Sequence, residues 1–141
     1  MFKRICIIGC GLIGSSIARG IKKNKIATKV VSSNRSNSTN KKVIRLKIVD
    51  EASSDTKKIV KGSDLIIIAS PLSSYKNIIL KIKSSLKNGA ILTDVGSVKK
   101  DIISLRNIFL IQLCFWYLNF VKRALTQCKK FLKCSLSRCI C

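Results

Sequence analysis

The stretch that decides the fold is residues 3–14, KRICIIGCGLIG, in which an apolar run leads directly into a glycine-rich turn. A short apolar run that ends in glycine predicts a strand buried on both faces, here over residues 3–8. The helical spacing of Ile13, Ile17, Ala18 and Ile21 then predicts a helix over residues 12–23. A G-x-G-x-x-G sequence therefore joins a strand to a helix.

This glycine motif predicts a dinucleotide-binding turn. Gly9 permits the tight turn, Gly11 lets the backbone approach a pyrophosphate, and Gly14 lets the helix pack close to the strand. Leu12 and Ile13 lie at the helix N-terminus, which faces the phosphate anion, so we include them in the predicted cofactor site. The hexapeptide alone is a weak signal, but its place between strand and helix favours dinucleotide binding over a purely structural turn.

The pattern after the motif alternates between strands and helices. Further strands are predicted over residues 28–33, 65–69 and 90–95, with a minor one over 48–50. One helix is predicted to start within the polar residues 34–40 and to continue for a short stretch beyond them. Further helices are predicted over 54–61 with Ser54 or Asp55 as cap, from a cap at Ser73 or Ser74 to Asn88-Gly89, and from Lys99. Such alternation predicts an α/β fold with a Rossmann-type, doubly wound and mostly parallel sheet.

The end of the second strand bears on which dinucleotide binds. An NAD site usually places an acid here to bind the ribose hydroxyls, but position 34 is Asn. We therefore favour NADP, with Arg35 as partner of the 2′-phosphate and Ser33, Asn34 and Ser36 as hydrogen-bond donors. NAD stays open as the alternative, with Asn34 serving the ribose and Arg35 stacking on adenine.

Two further segments follow predicted strands at the carboxyl edge of the sheet, where ligands of open α/β folds bind. Ser70-Pro71 either fixes a loop under the cofactor or simply ends a strand. The segment DVGSVK, residues 94–99, either turns backbone N–H groups and the Ser97 hydroxyl toward the nicotinamide end or is a plain strand-to-helix turn.

The composition changes near residue 103. All six acids, all seven glycines and the one proline precede residue 104, whereas residues 104–141 hold five of the seven cysteines and six of the eight aromatic residues. We predict a nucleotide-binding domain over residues 1–103 and an atypical tail, irregular or helical, over 104–141. The cysteine spacings, with no His in the chain, give no metal site.

The net charge of +22 raises the question of an anionic partner. Lys and Arg are scattered rather than gathered in a block, so we expect neither nucleic acid nor membrane as the primary partner, although a basic interaction protein stays open as the least favoured alternative. The N-terminal apolar run is too short and too interrupted by glycine for a signal peptide, and this predicts a cytoplasmic protein.

Four segments together resemble the nucleotide domain of the prephenate/arogenate dehydrogenases of tyrosine biosynthesis. They are KRICIIGCGLIGSSIARGIKK, IVDEASSD, SDLIIIASPLSS and GAILTDVGSVKKDI, within residues 3–103. The resemblance implies oxidative decarboxylation of prephenate or arogenate with hydride transfer to a nicotinamide. It also implies a place for Ser97 beside the substrate and the catalytic His, and a helical domain that forms a dimer.

The chain departs from this family pattern in one respect that matters for catalysis. The family follows the G-S-V-K motif with a segment bearing the catalytic His, but these 141 residues contain no His. We therefore expect a fragment that binds cofactor and is inactive alone, or an NADP(H)-binding module without catalysis. An out-of-frame translation after residue 103 would explain the tail, and we favour it over a genuine amphipathic tail.

Overall fold

The predicted strand over residues 3–8 lies at the centre of a parallel sheet. A computed structural model describes residues 1–96 of the chain. Within them the strands are β1 (Phe2–Ile8), β2 (Ala27–Ser33), β3 (Glu51–Ser53), β4 (Leu65–Ile68) and β5 (Ile91–Asp94). The helices are α1 (Leu12–Lys23), α2 (Asn37–Arg45), α3 (Thr56–Val60) and α4 (Tyr75–Ile82), and short 3-10 turns at Leu72–Ser74 and Lys83–Ser85 flank α4.

The strand order is β3-β2-β1-β4-β5, and every neighbouring pair is parallel. Ile5 pairs with Val30 of β2 on one side and with Leu65 of β4 on the other. The chain therefore winds outward from β1 in both directions, which confirms the predicted doubly wound α/β fold. In such sheets a crevice opens beyond the carboxyl ends of the strands at the point where the order reverses.

Both faces of the sheet carry an apolar core, as the uninterrupted apolar strands predict. Successive residues of a strand point to opposite faces, so Ile5 and Ile7 of β1 pack with α1 and α2, whereas Cys6 and Ile8 pack with α3 and α4. Tyr75 of α4 belongs to the same core as Cys6 and Ile8 and is only 2% exposed. Two helix layers thus hold the sheet from either side and leave its carboxyl edge for ligands.

The third strand differs from the prediction, because it begins at Glu51 rather than covering residues 48–50. Ile48 and Val49 are buried against the face that α1 and α2 cover, so their apolar character reflects core packing. Asp50 then joins β2 through both its backbone and its side chain, since its N–H donates to Val30 O and its carboxylate accepts from Val30 N, each at 2.8 Å.

The helix ends also refine the prediction. Asp55 rather than Ser54 caps α3, because its carboxylate accepts from the backbone N–H groups of Lys57 and Lys58. Ser74 occupies the N-cap of α4, but its hydroxyl donates to Pro71 O at 2.6 Å and does not cap the helix. The α-helix ends at Ile82, short of Asn88-Gly89, because the chain tightens into a 3-10 turn after it.

The predictions for the helix from Lys99 and for the tail over residues 104–141 concern residues outside the described part of the chain. Within residues 1–96, no helix is both long enough and apolar enough to cross a bilayer.

Candidate functional site

A cleft of about 1300 Å³ opens at the carboxyl ends of β1, β2 and β4. Three loops form its floor: the glycine turn after β1, the segment after β2 and the segment after β4. Of the predicted cofactor residues, those that line the cleft are Gly9, Gly11, Leu12, Ser33, Asn34, Arg35, Ser36, Ser70 and Pro71. Ile13 and Gly14 belong to the same turn but are not part of the lining, and Ser97 lies outside the described residues.

The glycine turn is tightly packed at two of its three glycines. Gly9 has φ +97, and a β-carbon there would lie 2.7 Å from both Ala69 O and Ser70 Oγ. A β-carbon at Gly14 would lie 2.1 Å from Gly9 O, so only glycine lets α1 start this close to β1. The Ser70 hydroxyl donates to Ile8 O at 3.1 Å and thereby ties the loop after β4 to the turn.

Gly11 differs from the other two glycines, because a β-carbon there would meet no atom within 4 Å. It is the N-cap residue of α1, and no side chain caps this helix end. Leu12, the first helical residue, is 94% exposed. The turn therefore presents an open, uncapped helix N-terminus to the cleft, which is the arrangement that favours an anionic group.

The segment after β2 is held by a buried polar network. Asn34 is only 7% exposed, and its Oδ1 accepts from Cys10 N at 2.5 Å. Its Nδ2 donates to Asn40 Oδ1 at 2.9 Å and to Ser32 Oγ at 3.2 Å. Asn34 thus holds the glycine turn in place, and both of its amide hydrogens have protein partners.

The neighbours of Asn34 differ in how far they are already engaged. The Ser33 hydroxyl is buried and shares a 2.9 Å hydrogen bond with Thr56 of α3. The Ser36 hydroxyl is exposed and shares a 2.6 Å bond with Ser38. Arg35 is exposed at the cleft wall. Of the four residues predicted here, Arg35 and Ser36 are the two with their side chains toward solvent.

The cleft is also lined by three cationic residues that the glycine motif does not predict: Arg19 of α1, Lys42 of α2 and Lys81 of α4. Helical spacing is the signal that could have found them. Leu12, Ser15 and Arg19 follow one face of α1, and Asn77 and Lys81 follow one face of α4. No acidic residue of the described part of the chain lines the cleft.

The segment after β5 forms a second constrained turn. Asp94 is 7% exposed, and its Oδ2 accepts from Gly96 N at 2.6 Å. A β-carbon at Gly96 would lie 2.7 Å from Leu72 Cδ1 and 2.9 Å from Asp94 Oδ2, so a larger residue would have to displace these side chains. Burial and the nearby Asp94 carboxylate raise the pKa of Tyr75 to about 12, and its hydroxyl donates to Ile68 O. Asp94 therefore holds the backbone at Gly96, the last of the described residues.

The two cysteines in the described residues, Cys6 and Cys10, are buried and behave as small apolar groups. Burial raises the pKa of Cys6 to about 12 and also raises that of Cys10, so both thiols are protonated at neutral pH. Residues 1–96 bring together no group of three His, Cys, Asp or Glu side chains that could hold a metal ion.

The fold and the cleft together define a class. A parallel sheet with the order β3-β2-β1-β4-β5, a glycine turn opening α1 and a crevice at the strand reversal characterise a Rossmann-type nucleotide-binding domain. A family model described as "Prephenate dehydrogenase, nucleotide-binding domain" matches residues 17–111. The chain belongs to this family, which confirms the resemblance seen in the sequence.

Known relatives agree with this assignment. The chain is 37% identical over 106 residues to the prephenate dehydrogenase of Lactococcus lactis subsp. cremoris, a match that covers 74% of this chain and 29% of that protein. Among solved structures, Synechocystis arogenate dehydrogenase has a TM-score of 0.66 at 30% identity, and the match covers 70% of this chain and 34% of the dehydrogenase chain. Prephenate dehydrogenase from A. aeolicus, in complex with hydroxyphenyl propionate and NAD+, has a TM-score of 0.70 at 26% identity, with 77% and 38% covered. The chain spans about a third of the length of these relatives.

Proposed function

We propose that the cleft binds a nicotinamide dinucleotide with its pyrophosphate against the glycine turn and its adenosine end against the segment after β2. The observation that carries this proposal is Gly11: it caps α1 without a side chain, and the space where a β-carbon would stand is empty. A pyrophosphate needs this close approach to backbone N–H groups at a helix N-terminus. The solved relative from A. aeolicus that contains NAD+ supports the same class of ligand.

We propose NADP as the preferred dinucleotide. The neutral Asn34 stands where an NAD site usually has an acid, and Arg35, Ser36 and Lys42 line the adjoining wall. A carboxylate at position 34 would repel a 2′-phosphate, whereas Arg35 offers it a charge-assisted hydrogen bond. NAD is the alternative, and it is favoured if Arg35 stacks on adenine rather than binding a phosphate.

The reaction that this domain serves is, on our proposal, the oxidative decarboxylation of prephenate or arogenate in tyrosine biosynthesis. When bound, a nicotinamide would be the acceptor for the hydride that leaves the ring carbon bearing the hydroxyl, and loss of carbon dioxide would make the ring aromatic. The role of this chain is to bind and orient: Gly9 and Gly14 fix the turn, Asn34 holds it, and the turn held by Asp94 leads to Ser97, which we place beside the substrate.

Proton removal from the substrate hydroxyl needs a general base, which in the family is a His. The 141 residues of this chain contain no His, so they offer no imidazole for this role. General bases contribute about 10²–10⁴-fold in rate. We therefore propose that the chain alone binds cofactor without oxidising prephenate or arogenate. On this proposal the general base and the dimer contacts belong to a further domain, as in the family pattern. Formation of reduced cofactor on adding prephenate to this chain would overturn that part of the proposal. We also propose that the protein works in the cytoplasm.

Calorimetric titration of the full chain with NADP and with NAD tests the binding proposal. We expect both to bind and NADP to bind more tightly. Arg35→Ala should weaken NADP binding about tenfold, because a hydrogen bond to a charged group contributes about 1.5–3 kcal/mol, and should leave NAD within about twofold.

Arg45→Ala is the matched control for that titration, since Arg45 is an exposed arginine in the last turn of α2 outside the cleft lining. It should change neither affinity. Absence of binding for both dinucleotides at millimolar concentration contradicts the proposal, and an equal loss of NAD and NADP in Arg35→Ala contradicts the assignment of the 2′-phosphate to Arg35.

A further inference from the structure

A buried pair of amide side chains, Asn34 and Asn40, lies directly behind the cleft wall. The two residues are 7% and 6% exposed. Asn34 Oδ1 accepts from Cys10 N, which fixes that atom toward the glycine turn. Asn34 Nδ2 is therefore turned the other way, where it donates to Asn40 Oδ1 at 2.9 Å and to Ser32 Oγ at 3.2 Å.

The orientation of Asn40 is fixed as well. Its Nδ2 donates to the backbone oxygen of Asn34 at 3.3 Å, so its Oδ1 is the atom that faces the Asn34 amide. Turning the Asn40 amide over would bring Oδ1 against that backbone oxygen and exchange one good contact for a repulsive one. Asn40 thus presents an acceptor to position 34 and has no second arrangement in which all of its contacts are satisfied.

A carboxylate at position 34 does not fit this pair. One of its oxygens would keep the bond from Cys10 N, but the other would stand where Asn34 Nδ2 now lies and face Asn40 Oδ1 at about the same 2.9 Å. The Ser32 hydroxyl could turn its hydrogen toward this oxygen, but Asn40 Oδ1 has no hydrogen to give, and two oxygens that face each other without a hydrogen between them repel. The network therefore accepts an amide at position 34 and rejects an acid.

We infer that Asn40 keeps an acid out of position 34, so that the side chain which fits this pair is the neutral one that favours NADP. It is a positioning residue, because it acts through Asn34 and is itself absent from the cleft lining. The inference rests on the proposed function and names a determinant beyond the residues that face the dinucleotide. It also means that changing Asn34 alone does not convert the cleft to an NAD site.

A double-mutant cycle with Asn34→Asp, Asn40→Ser and both together tests this, with dissociation constants for NADP and NAD measured calorimetrically on the full chain. A serine hydroxyl at position 40 can accept from an amide or donate to a carboxylate, so it suits either residue at position 34. With Asn40 present, Asn34→Asp should weaken NADP binding about tenfold and improve NAD binding less than about twofold.

In the Asn40→Ser background, the same Asn34→Asp change should improve NAD binding about tenfold. Asn40→Ser alone should keep the preference for NADP within about threefold. Asn37→Ser is the matched control, since Asn37 is exposed on the same helix outside the cleft lining, and it should leave the effect of Asn34→Asp unchanged.

The outcomes separate the inference from the function on which it rests. If the wild-type chain binds neither dinucleotide, the proposed function fails and the inference fails with it. If wild type binds NADP but Asn34→Asp improves NAD binding equally in the presence and absence of Asn40→Ser, only the inference is overturned. If Asn34→Asp unfolds and the double variant folds, the pair excludes a carboxylate as inferred, whereas unfolding of both overturns it.

Discussion

Replacing Gly14 by alanine tests whether the close approach of α1 to β1 is as rigid as the geometry indicates. The added β-carbon would lie 2.1 Å from Gly9 O and 3.1 Å from Gly9 C. Ordinary carbon–oxygen contacts lie near about 3.3 Å, so the helix start and the turn must separate by about 1 Å. Both partners are backbone, hence no side-chain rotation can relieve the overlap.

The magnitude follows from two opposing effects. Overpacking of this kind costs about 1–3 kcal/mol, and the upper part of that range applies because the obstacle is backbone. Alanine offsets part of this through its better helix propensity, by about 1 kcal/mol. The expected net loss is about 2 kcal/mol, which for a domain of this size lowers the unfolding midpoint by on the order of 10 °C.

Thermal unfolding followed by circular dichroism measures this loss, and Gly11→Ala supplies the comparison. A β-carbon at Gly11 meets nothing within 4 Å, so this variant should stay within about 1 kcal/mol of wild type, the difference being that between glycine and alanine at an N-cap. It should nevertheless weaken dinucleotide binding, because its methyl group occupies the space that we assign to the pyrophosphate. A Gly14→Ala chain that melts at or above the wild-type temperature would refute the reasoning.

Two further predictions concern stability away from the cleft. The Lys87 ammonium and Arg4 N donate hydrogen bonds to the Asp64 carboxylate, and these bonds hold the pKa of Asp64 below its ordinary value. The ionised carboxylate therefore stabilises the folded state above about pH 4, and this contribution is lost as the pH falls through the lower pKa that Asp64 has in the folded state. Lys87→Met should therefore be less stable than wild type at pH 6, and the two urea midpoints should converge below about pH 3; a constant gap would contradict this. Asp55→Ala removes the acceptor that caps α3 and should cost about 1 kcal/mol in urea unfolding, whereas Asp55→Asn should retain most of it, and equal losses would show that capping is not the cause.

Much of the fold could be predicted because local patterns and burial agree. The helix predicted over residues 12–23 is α1 without change, since its apolar spacing and the glycine turn before it point to the same boundaries. The third strand begins after the predicted residues 48–50 for a physical reason. The apolar pair Ile48-Val49 is buried against the helices, and burial alone does not distinguish a loop from a strand. The double contact of Asp50 with Val30, a long-range pairing, sets the register, and no local pattern contains it.

The candidate site could be predicted only as far as residue type determines role. The packing at Gly9 and Gly14 follows from the motif, because only glycine fits a turn of that kind. For Asn34 the residue type says what it can donate and accept but not to which partner. Its partners, Cys10 N and Asn40 Oδ1, depend on how α2 packs behind the turn, so its role in holding the turn is visible only in three dimensions.

The overall positive charge acquires a specific meaning at the cleft. Four ion pairs among the described residues join Arg4 and Lys29 to Glu51, Lys22 to Asp50, and Lys87 to Asp64, and none of these seven residues lines the cleft. Those acids therefore neutralise cations elsewhere on the domain, whereas Arg19, Arg35, Lys42 and Lys81 face the cleft with no acid of residues 1–96 among its lining. A concave site with one sign of charge concentrates its field and attracts anionic ligands. The cleft thus has a purely cationic set of charged side chains, at the place where we propose that a dinucleotide brings its phosphates.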